Sequence, residues 1–360
     1  MIHNSNPIRK KLLWFCVIVA IIIGIFVYLH HTHRSSDTLA EDAVDLAIDS
    51  VAVSNAALFN ADSAYVFCRE QCNFGPRVMN TSAHAQCAAY IISKFSSYGL
   101  QVTEQDYVLP AFNGTPLESK NIIASLHPEA TDRILLCAHW DSRPWADNDP
   151  NDDNHTKPVM GANDGASGVA VMIELARLLT TSNRIPSTLG IDFLCLDAED
   201  YGSDGNEDSW ALGAQYWAKN PHKKDYKAHF GILLDMVGGK GSHFYREILS
   251  DHFASWVVDD VWDAAAASGN SSLFVNTSGF AVTDDHKPLN ITAHIPTIDI
   301  IAYYPDCTQS SFGPYWHTIY DTMENIDKNV LKAVGGTLTV VLLRQAELYA
   351  PSPCPQGRQD

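Results

Sequence analysis

Two adjacent carboxylates, Glu199 and Asp200, close the apolar run that starts at Ile191 and passes through Phe193, Leu194, Cys195 and Leu196. A buried strand cannot end in paired acids unless something compensates their charge, because an uncompensated carboxylate is very costly to take out of water. Other apolar segments close in a similar way. His139 and Asp141 follow Ile134-Leu-Leu-Cys-Ala138, and Asp235 follows Gly231-Ile-Leu-Leu234. Open α/β sheets build their sites outside the carboxyl ends of their strands. The chain is therefore constrained to a sheet whose strand ends carry the chemistry.

Hydrophobic spacing supplies the remaining elements. Helical spacing runs over Ala61 to Cys72 and Ser82 to Tyr98, with Gly99 as a natural stop. Gln101 to Leu109, Lys120 to His127 and Arg133 to His139 read as strands, the last of them central. Gly165 to Leu179 reads as a helix, Thr188 to Leu196 as a buried strand, Ser209 to Lys219 as a helix and Phe230 to Leu234 as a strand. His252 to Ser268 is a predicted helix, Ile295 to Ala302 a buried strand, and Asp327 to Ala350 a long closing helix. Strands alternating with helices imply an α/β fold, a mostly parallel sheet flanked by helices. The polar stretch from Trp145 to Lys157 is long for a loop in a compact domain, and such loops are often functional.

The N-terminus differs from the rest. Arg9, Lys10 and Lys11 precede an uncharged apolar run from Leu12 to Leu29. That length is near the minimum for spanning a bilayer, and basic residues on its N-terminal side favour leaving the remainder outside the cytoplasm. A cleaved signal peptide is the competing reading, but no small-x-small site follows; the run ends in Tyr28-Leu-His-His31. The expected organisation is a basic stub and signal anchor over residues 1–34, a tether rich in Asp, Ala and Ser over 35–60, and a globular domain over 61–360, membrane-anchored through residues 12–29 with its domain on the extracytoplasmic side. A monomer is expected. The net charge of −18 argues against a nucleic-acid partner, which calls for Lys and Arg. Cys137 and Cys195 lie in apolar strands and read as buried thiols, while Cys68, Cys72 and Cys87 are close enough in sequence for one disulfide.

The candidate chemistry lies in the acids and histidines. Zinc accepts imidazole nitrogen and carboxylate oxygen, with three protein ligands and an open position at catalytic sites. Asp164 in Gly161-Ala-Asn-Asp164, Asp200, Asp235, Asp284 in Asp284-Asp285-His286, and His317 are available. Each has a plainer reading when taken alone. Asp164 suits a helix cap, Asp235 an ordinary strand end, His317 a hydrogen-bonded loop position, and Asp141 a partner that orients His139.

Taken in order, Ala138-His-Trp-Asp141, Gly161-Ala-Asn-Asp164, Asp197-Ala-Glu-Asp200, Leu233-Leu-Asp-Met236 and Trp316-His317-Thr318 resemble the metal-site motifs of the zinc aminopeptidase superfamily, and within it the glutaminyl-peptide cyclotransferases (glutaminyl cyclases). Asp284-Asp285-His286-Lys-Pro288, Trp316 before His317 and Phe312 favour the cyclases, and the Trp145 region looks like their bacterial branch. The resemblance implies a three-layer α/β sandwich around a mixed, mostly parallel sheet. It implies one zinc ion (Zn2+) held by Asp164, Asp200 and His317, with Glu199 as general acid/base in a carboxylate network with Asp235 and Asp284. Trp316 and Phe312 would line a pocket for the side chain of a peptide or protein substrate with N-terminal Gln. The animal cyclases have Glu-Glu where this chain has Glu199-Asp200. A pocket tryptophan expected a few residues later is not obvious near Asp204, and Trp210 reads as helix packing.

Two further function classes are open. A two-zinc aminopeptidase would use His139, Asp164, Asp200, Asp235 and His317, with Glu199 activating water. A tethered binding domain on an inactive peptidase fold should have lost ligands or the base, and none is missing. Ser167 in Gly165-Ala-Ser-Gly168 lacks the spacing of a serine nucleophile and fits a helix N-terminal turn.

Overall fold

The structure is a computed structural model that describes residues 50–350. The apolar run 12–29, most of the expected tether and Cys354 lie outside the described residues. Among the described residues no helix is long and apolar enough to cross a membrane.

The main sheet has six strands: β1 (Gln101–Pro110), β2 (Pro116–Leu126), β3 (Asp132–His139), β4 (Leu189–Leu196), β5 (Phe230–Asp235) and β8 (Thr297–Ile301), in the order β1-β2-β4-β3-β5-β8. The four strands from β4 to β8 run parallel, and β1 and β2 form an antiparallel edge. The parallel strands are apolar on both faces, as strands covered on both sides must be. Alternate residues serve alternate cores. Ile134, Leu136 and Ala138 of β3 join one apolar cluster, and Leu135 and Cys137 join the other. Helices Ala61–Cys72, Ala166–Ser182, Ile248–Ala267 and Lys328–Leu348 contribute to the first cluster; Leu212–Lys219 and His286–Ile291 contribute to the second.

Several details depart from the sequence expectations. A small parallel pair, β6 (Phe244–Arg246) with β7 (Phe274–Ser278), and the short helix His286–Ile291 had no periodic signal. The packed body begins before Ala61. Residues 50–56 are helical, Ala52 and Phe59 are buried, and Phe59 sits over Gly335, where a Cβ would lie 2.2 Å from its ring. Cys137 and Cys195 are buried free thiols as expected. Cys68, Cys72 and Cys87 are free as well, so the structure forms no disulfide among them; the Cys68 thiol donates to the Ala162 carbonyl at 3.1 Å.

Candidate active site

Parallel pairing of β4, β3 and β5 delivers His139, the Glu199–Asp200 turn and Asp235 to the same edge of the sheet. The turns there are unusual for residues with side chains. Ala198 (φ +54°), Met236 (φ +50°) and His317 (φ +52°) have left-handed backbones, which cost of order 1–3 kcal/mol each and persist only where surrounding groups over-determine them. At Ala198 those groups are visible. The buried Asp197 carboxylate accepts the N–H groups of Ala198 (2.9 Å) and Lys120 (2.6 Å) and pairs with His84 Nε2 at 2.8 Å. One position on, the Asp141 carboxylate accepts the backbone N–H groups of Glu199 and Asp200, each at 3.1 Å. Asp141 also lies 3.5 Å from Nδ1 of His139, so it clamps the acidic turn as well as facing the ring.

Asp164 is no helix cap. The N-cap of helix Ala166–Ser182 is Gly165, without a side-chain cap bond. Gly165 has φ +92°, and a Cβ there would lie 2.6 Å from the Asp141 carbonyl oxygen, so the backbone approach demands glycine. Two buried residues fix this loop from beneath. Asp321 accepts the N–H groups of Asn163 (2.7 Å) and Asp164 (3.0 Å). The guanidinium of Arg77 donates to the carbonyls of Trp140, Met160 and Gly161. The Asp164 side chain then turns to the imidazoles, with Oδ1 3.0 Å from His139 Nε2 and Oδ2 3.8 Å from His317 Nε2.

Asp164, Asp200 and His317 converge, each offering a ligand atom within 4.8 Å of the others. His317 Nε2 lies 3.1 Å from Asp200 Oδ1, and its Nδ1 faces Asp147 at 3.3 Å. Asp200 is buried; its Oδ1 faces the His317 imidazole and, at longer range, Arg143, while its Oδ2 has no hydrogen-bond donor, which suits a carboxylate that takes a cation. Two carboxylates, one imidazole and a carboxylate behind the imidazole suit zinc with an open fourth position. Burial disfavours a charged imidazole, but the Asp200 carboxylate and the hydrogen bonds to Asp147 and Asp200 lift the pKa of His317 to about 9. Burial also tends to raise Asp164, yet its hydrogen bond to His139 and the charges of His139, His317 and Arg77 hold it below the usual range.

A second group, His139, Asp164 and Asp235, shares Asp164 and has its ligand atoms equally close. His139 Nε2 is 3.2 Å from Asp235 Oδ1. Burial raises Asp235 to about 7, with Asp284 and Asp164 adding to the rise and the hydrogen bond to His139 opposing it. Glu199 stays partly accessible through the neighbouring cavity. Its carboxyl is nonetheless held well above the ordinary glutamate value, by burial first and then by the charges of Asp284, Asp200 and Asp285, with His139 opposing.

The cavity is about 330 Å3 and contains Glu199, Asp164, Asp200, Asp235, Asp284 and His317 in its wall. Phe312, Trp316 and Trp210 supply aromatic surface. Trp316 stacks on His317 with ring centroids 3.7 Å apart and meets Phe312 in a tilted contact at 4.8 Å. Trp210, read from the sequence as helix packing, instead lines this cavity, near-parallel to His317 at 6.1 Å and with the Arg143 guanidinium 4.7 Å from its ring. It supplies the aromatic wall that was not apparent near Asp204. A wider groove of about 970 Å3 lies between helix Ser82–Ser97 and the β1–β2 edge, but it holds none of these carboxylates.

Asp164, Glu199, Asp200, Asp235, Asp284, Phe312, Trp316 and His317, the site residues expected from the sequence, therefore line one cavity. Sequence reasoning did not single out Asp147, Arg143, Asp321 or Arg77. Asp147 lies in the long Trp145–Lys157 loop, so its neighbourhood was flagged. Arg77 and Asp321 act through the backbone of other segments and leave no local signal.

The comparisons agree with this geometry. Residues 121–342 match the model of Peptidase family M28. A crystal structure of Bacteroides thetaiotaomicron glutaminyl cyclase bound to N-acetylhistamine is 49% identical, covers 79% of this chain and 98% of its own, and superposes with a TM-score of 0.76. Among curated relatives, Aminopeptidase YwaD of Bacillus subtilis is 30% identical over 249 residues, 67% of this chain. The glutaminyl-peptide cyclotransferase of Gloydius blomhoffii is 28% identical over 258 residues, 63% of this chain. The chain spans 48% of the length of the first curated relative and 66% of the second. With a family match over more than half its length and the zinc-type ligand set in place, the chain belongs to peptidase family M28.

Proposed function

We propose that this protein is a zinc-dependent glutaminyl-peptide cyclotransferase, converting the N-terminal Gln of peptides or proteins to pyroglutamate with release of ammonia. The observation that carries the reading is the placement of Asp284, from Asp284-Asp285-His286, in the wall of the same small aromatic cavity as Glu199. The 49% identity to a glutaminyl cyclase over nearly all of that chain supports it.

In this reading one zinc is held by Asp164, Asp200 and His317, where it would polarise the side-chain carbonyl of the substrate and stabilise the developing oxyanion. Trp316, Phe312 and Trp210 hold the Gln side chain and exclude water. The substrate α-amine forms the new C–N bond to the side-chain amide carbon, and the bond from that carbon to the amide nitrogen breaks. Glu199 takes the proton from the attacking amine and delivers it to the departing nitrogen, which leaves as ammonia. A carboxyl raised by burial and by neighbouring acids suits that double duty better than an ordinary glutamate, which holds a proton poorly at neutral pH. Fixing the amine against the amide contributes an orientation effect of several kcal/mol.

The His139–Asp164–Asp235 group favours a second reading, a two-zinc aminopeptidase releasing N-terminal residues. Ammonia release from a Gln-initiated dipeptide, assayed beside cleavage of Ala- and Leu-arylamides, separates the two. Ammonia without arylamide cleavage supports the cyclase, and arylamide cleavage without ammonia overturns it. We further read residues 12–29 as an uncleaved anchor that leaves a monomeric catalytic domain outside the cytoplasm, in the three-layer aminopeptidase-like arrangement. Release of the protein by salt or carbonate washing of membranes would refute the anchor.

A further inference from the structure

The loop from Trp145 to Lys157 is long and polar, yet it is closed and bonded within itself. Its ends meet where the Ala146 N–H donates to the Lys157 carbonyl at 2.8 Å. Inside it, the buried Asp149 carboxylate accepts the N–H of Asn151 (3.0 Å) and the carboxamide of Asn154 (2.8 Å). His155 Nε2 lies 2.8 Å from the Asp149 carbonyl oxygen, and Lys157 Nζ donates to the Asn154 side-chain oxygen at 2.6 Å. Compact loops with close ends and internal packing of this kind are frequently functional.

The loop grips two segments that line the cavity. On one side Trp145 meets Tyr201, the residue after Asp200, edge-on at 5.0 Å. On the other side three consecutive residues hold the chain around His317. Asp147 faces the His317 ring at 3.3 Å, and Asp149 accepts the Ile319 N–H at 3.2 Å. Between them, the Asn148 N–H donates to the His317 carbonyl at 3.0 Å, and the Asn148 side-chain amide donates to the Trp316 carbonyl at 3.1 Å. Asn148 is held in turn, because its own carbonyl accepts from Gln309 Nε2 at 2.8 Å.

The two carbonyls that Asn148 takes stand on either side of the His317 Cα. The backbone there is left-handed, with φ +52°, and such a conformation lasts only where neighbours over-determine it. The two bonds differ in what they require. Any residue at 148 supplies the backbone N–H for His317, whose ring is also oriented by Asp147. Only the carboxamide reaches the Trp316 carbonyl.

We infer that Asn148 is a positioning residue of the cavity. Its carboxamide sets Trp316 against His317, and so sets how closely the cavity fits the side chain of the substrate's N-terminal residue. The inference rests on the proposed function insofar as Trp316 is read there as a wall for that side chain.

The test is a double-mutant cycle on the zinc-loaded full chain, with Asn148→Ala, Trp316→Ala and both together. Ammonia release from a Gln-initiated peptide and cleavage of a Leu-arylamide are followed in parallel. Asn148→Ala is expected to raise KM by roughly 3–10-fold with kcat nearly unchanged, the mark of lost binding that substrate and transition state share. In the Trp316→Ala background it should add nothing, because the ring it places is gone. An unchanged KM, or an equal effect with and without the Trp316 ring, overturns the inference. Loss of zinc from Asn148→Ala also overturns it, since Asn148 would then support His317 rather than the wall. Should Asn148→Ala not fold, Asn148→Asp takes its place in the cycle, because it keeps the shape and has no donor for the Trp316 carbonyl. A wild type that cleaves the arylamide and releases no ammonia refutes the cyclisation instead; the cycle is then read on the arylamide, so the two failures stay distinct.

Discussion

The carboxylate of Asp147 lies 3.3 Å from Nδ1 of His317, on the side of the ring opposite Asp200. It also takes the Arg143 guanidinium at 2.5 Å, and Arg143 in turn donates to the carbonyls of Asp200 and Gly202. One loop residue thus ties the orientation of a metal-type ligand to the turn that carries its neighbour. Asp147→Ala is expected to weaken zinc binding by about 10–100-fold. Competition against a chromophoric chelator measures this; unchanged affinity would show that stacking by Trp316 alone sets the ring.

Glu199 and Asp200 are adjacent but are expected to fail differently. Glu199→Gln should lower turnover by roughly 10²–10⁴-fold while zinc stays bound, the usual range for losing a general acid/base. Asp200→Ala should lose the ion. Parallel activity and metal assays check the pair, and a fully active Glu199→Gln protein would remove Glu199 from the proton path.

Asp321 offers a stability test. Asp321→Ala leaves the N–H groups of Asn163 and Asp164 without their acceptor, at about 1–3 kcal/mol for each buried group that finds no substitute. The denaturation midpoint should fall accordingly. The metal-binding loop should loosen with it, read as faster hydrogen exchange over residues 161–165.

Gly202 packs against the face of Trp210, where an added Cβ would stand 2.1 Å from the indole. Gly202→Ala therefore pushes one aromatic wall of the cavity. KM for a Gln-initiated peptide should rise several-fold with metal content unchanged. An unaltered KM would show that Trp210 does not contact substrate.

Far from the cavity, Asp192 sits in the middle of β4 and pairs with Arg133, with further hydrogen bonds from Ser125 and Tyr226. Burial alone would raise its pKa, but the Arg133 hydrogen bonds and charge, with those hydroxyls, lower it. The stabilisation is therefore complete above the unfolded aspartate value of about 3.9 and is lost as the pH falls through the lower folded value. Asp192→Asn should cost about 3–5 kcal/mol at neutral pH by breaking a buried pair. The gap to wild type should narrow below about pH 4. Urea unfolding across that range tests the sign.

The strands and most helices were legible because their apolar periods are local properties of the chain. The acids at strand ends were legible for a related reason: a charge at the limit of an apolar run is conspicuous. Asp192 shows the limit of that signal, since a charge within the run is explained only by Arg133 on the neighbouring strand. The role of Trp210 depends on tertiary placement, because its neighbours His317 and Arg143 come from distant segments. Ala52 and Phe59 read as tether because their segment is rich in Asp, Ala and Ser, and the bare surface at Gly335 explains why Phe59 docks.

The left-handed turns at Ala198, Met236 and His317 have one more consequence. At Ala198 the twist is held by Asp197 and Asp141, buried acids outside the set that would bind zinc. The donor geometry is thus cast by the scaffold before any ion arrives. Removing and returning the metal is therefore expected to leave the fold in place, with no need to refold around the ion.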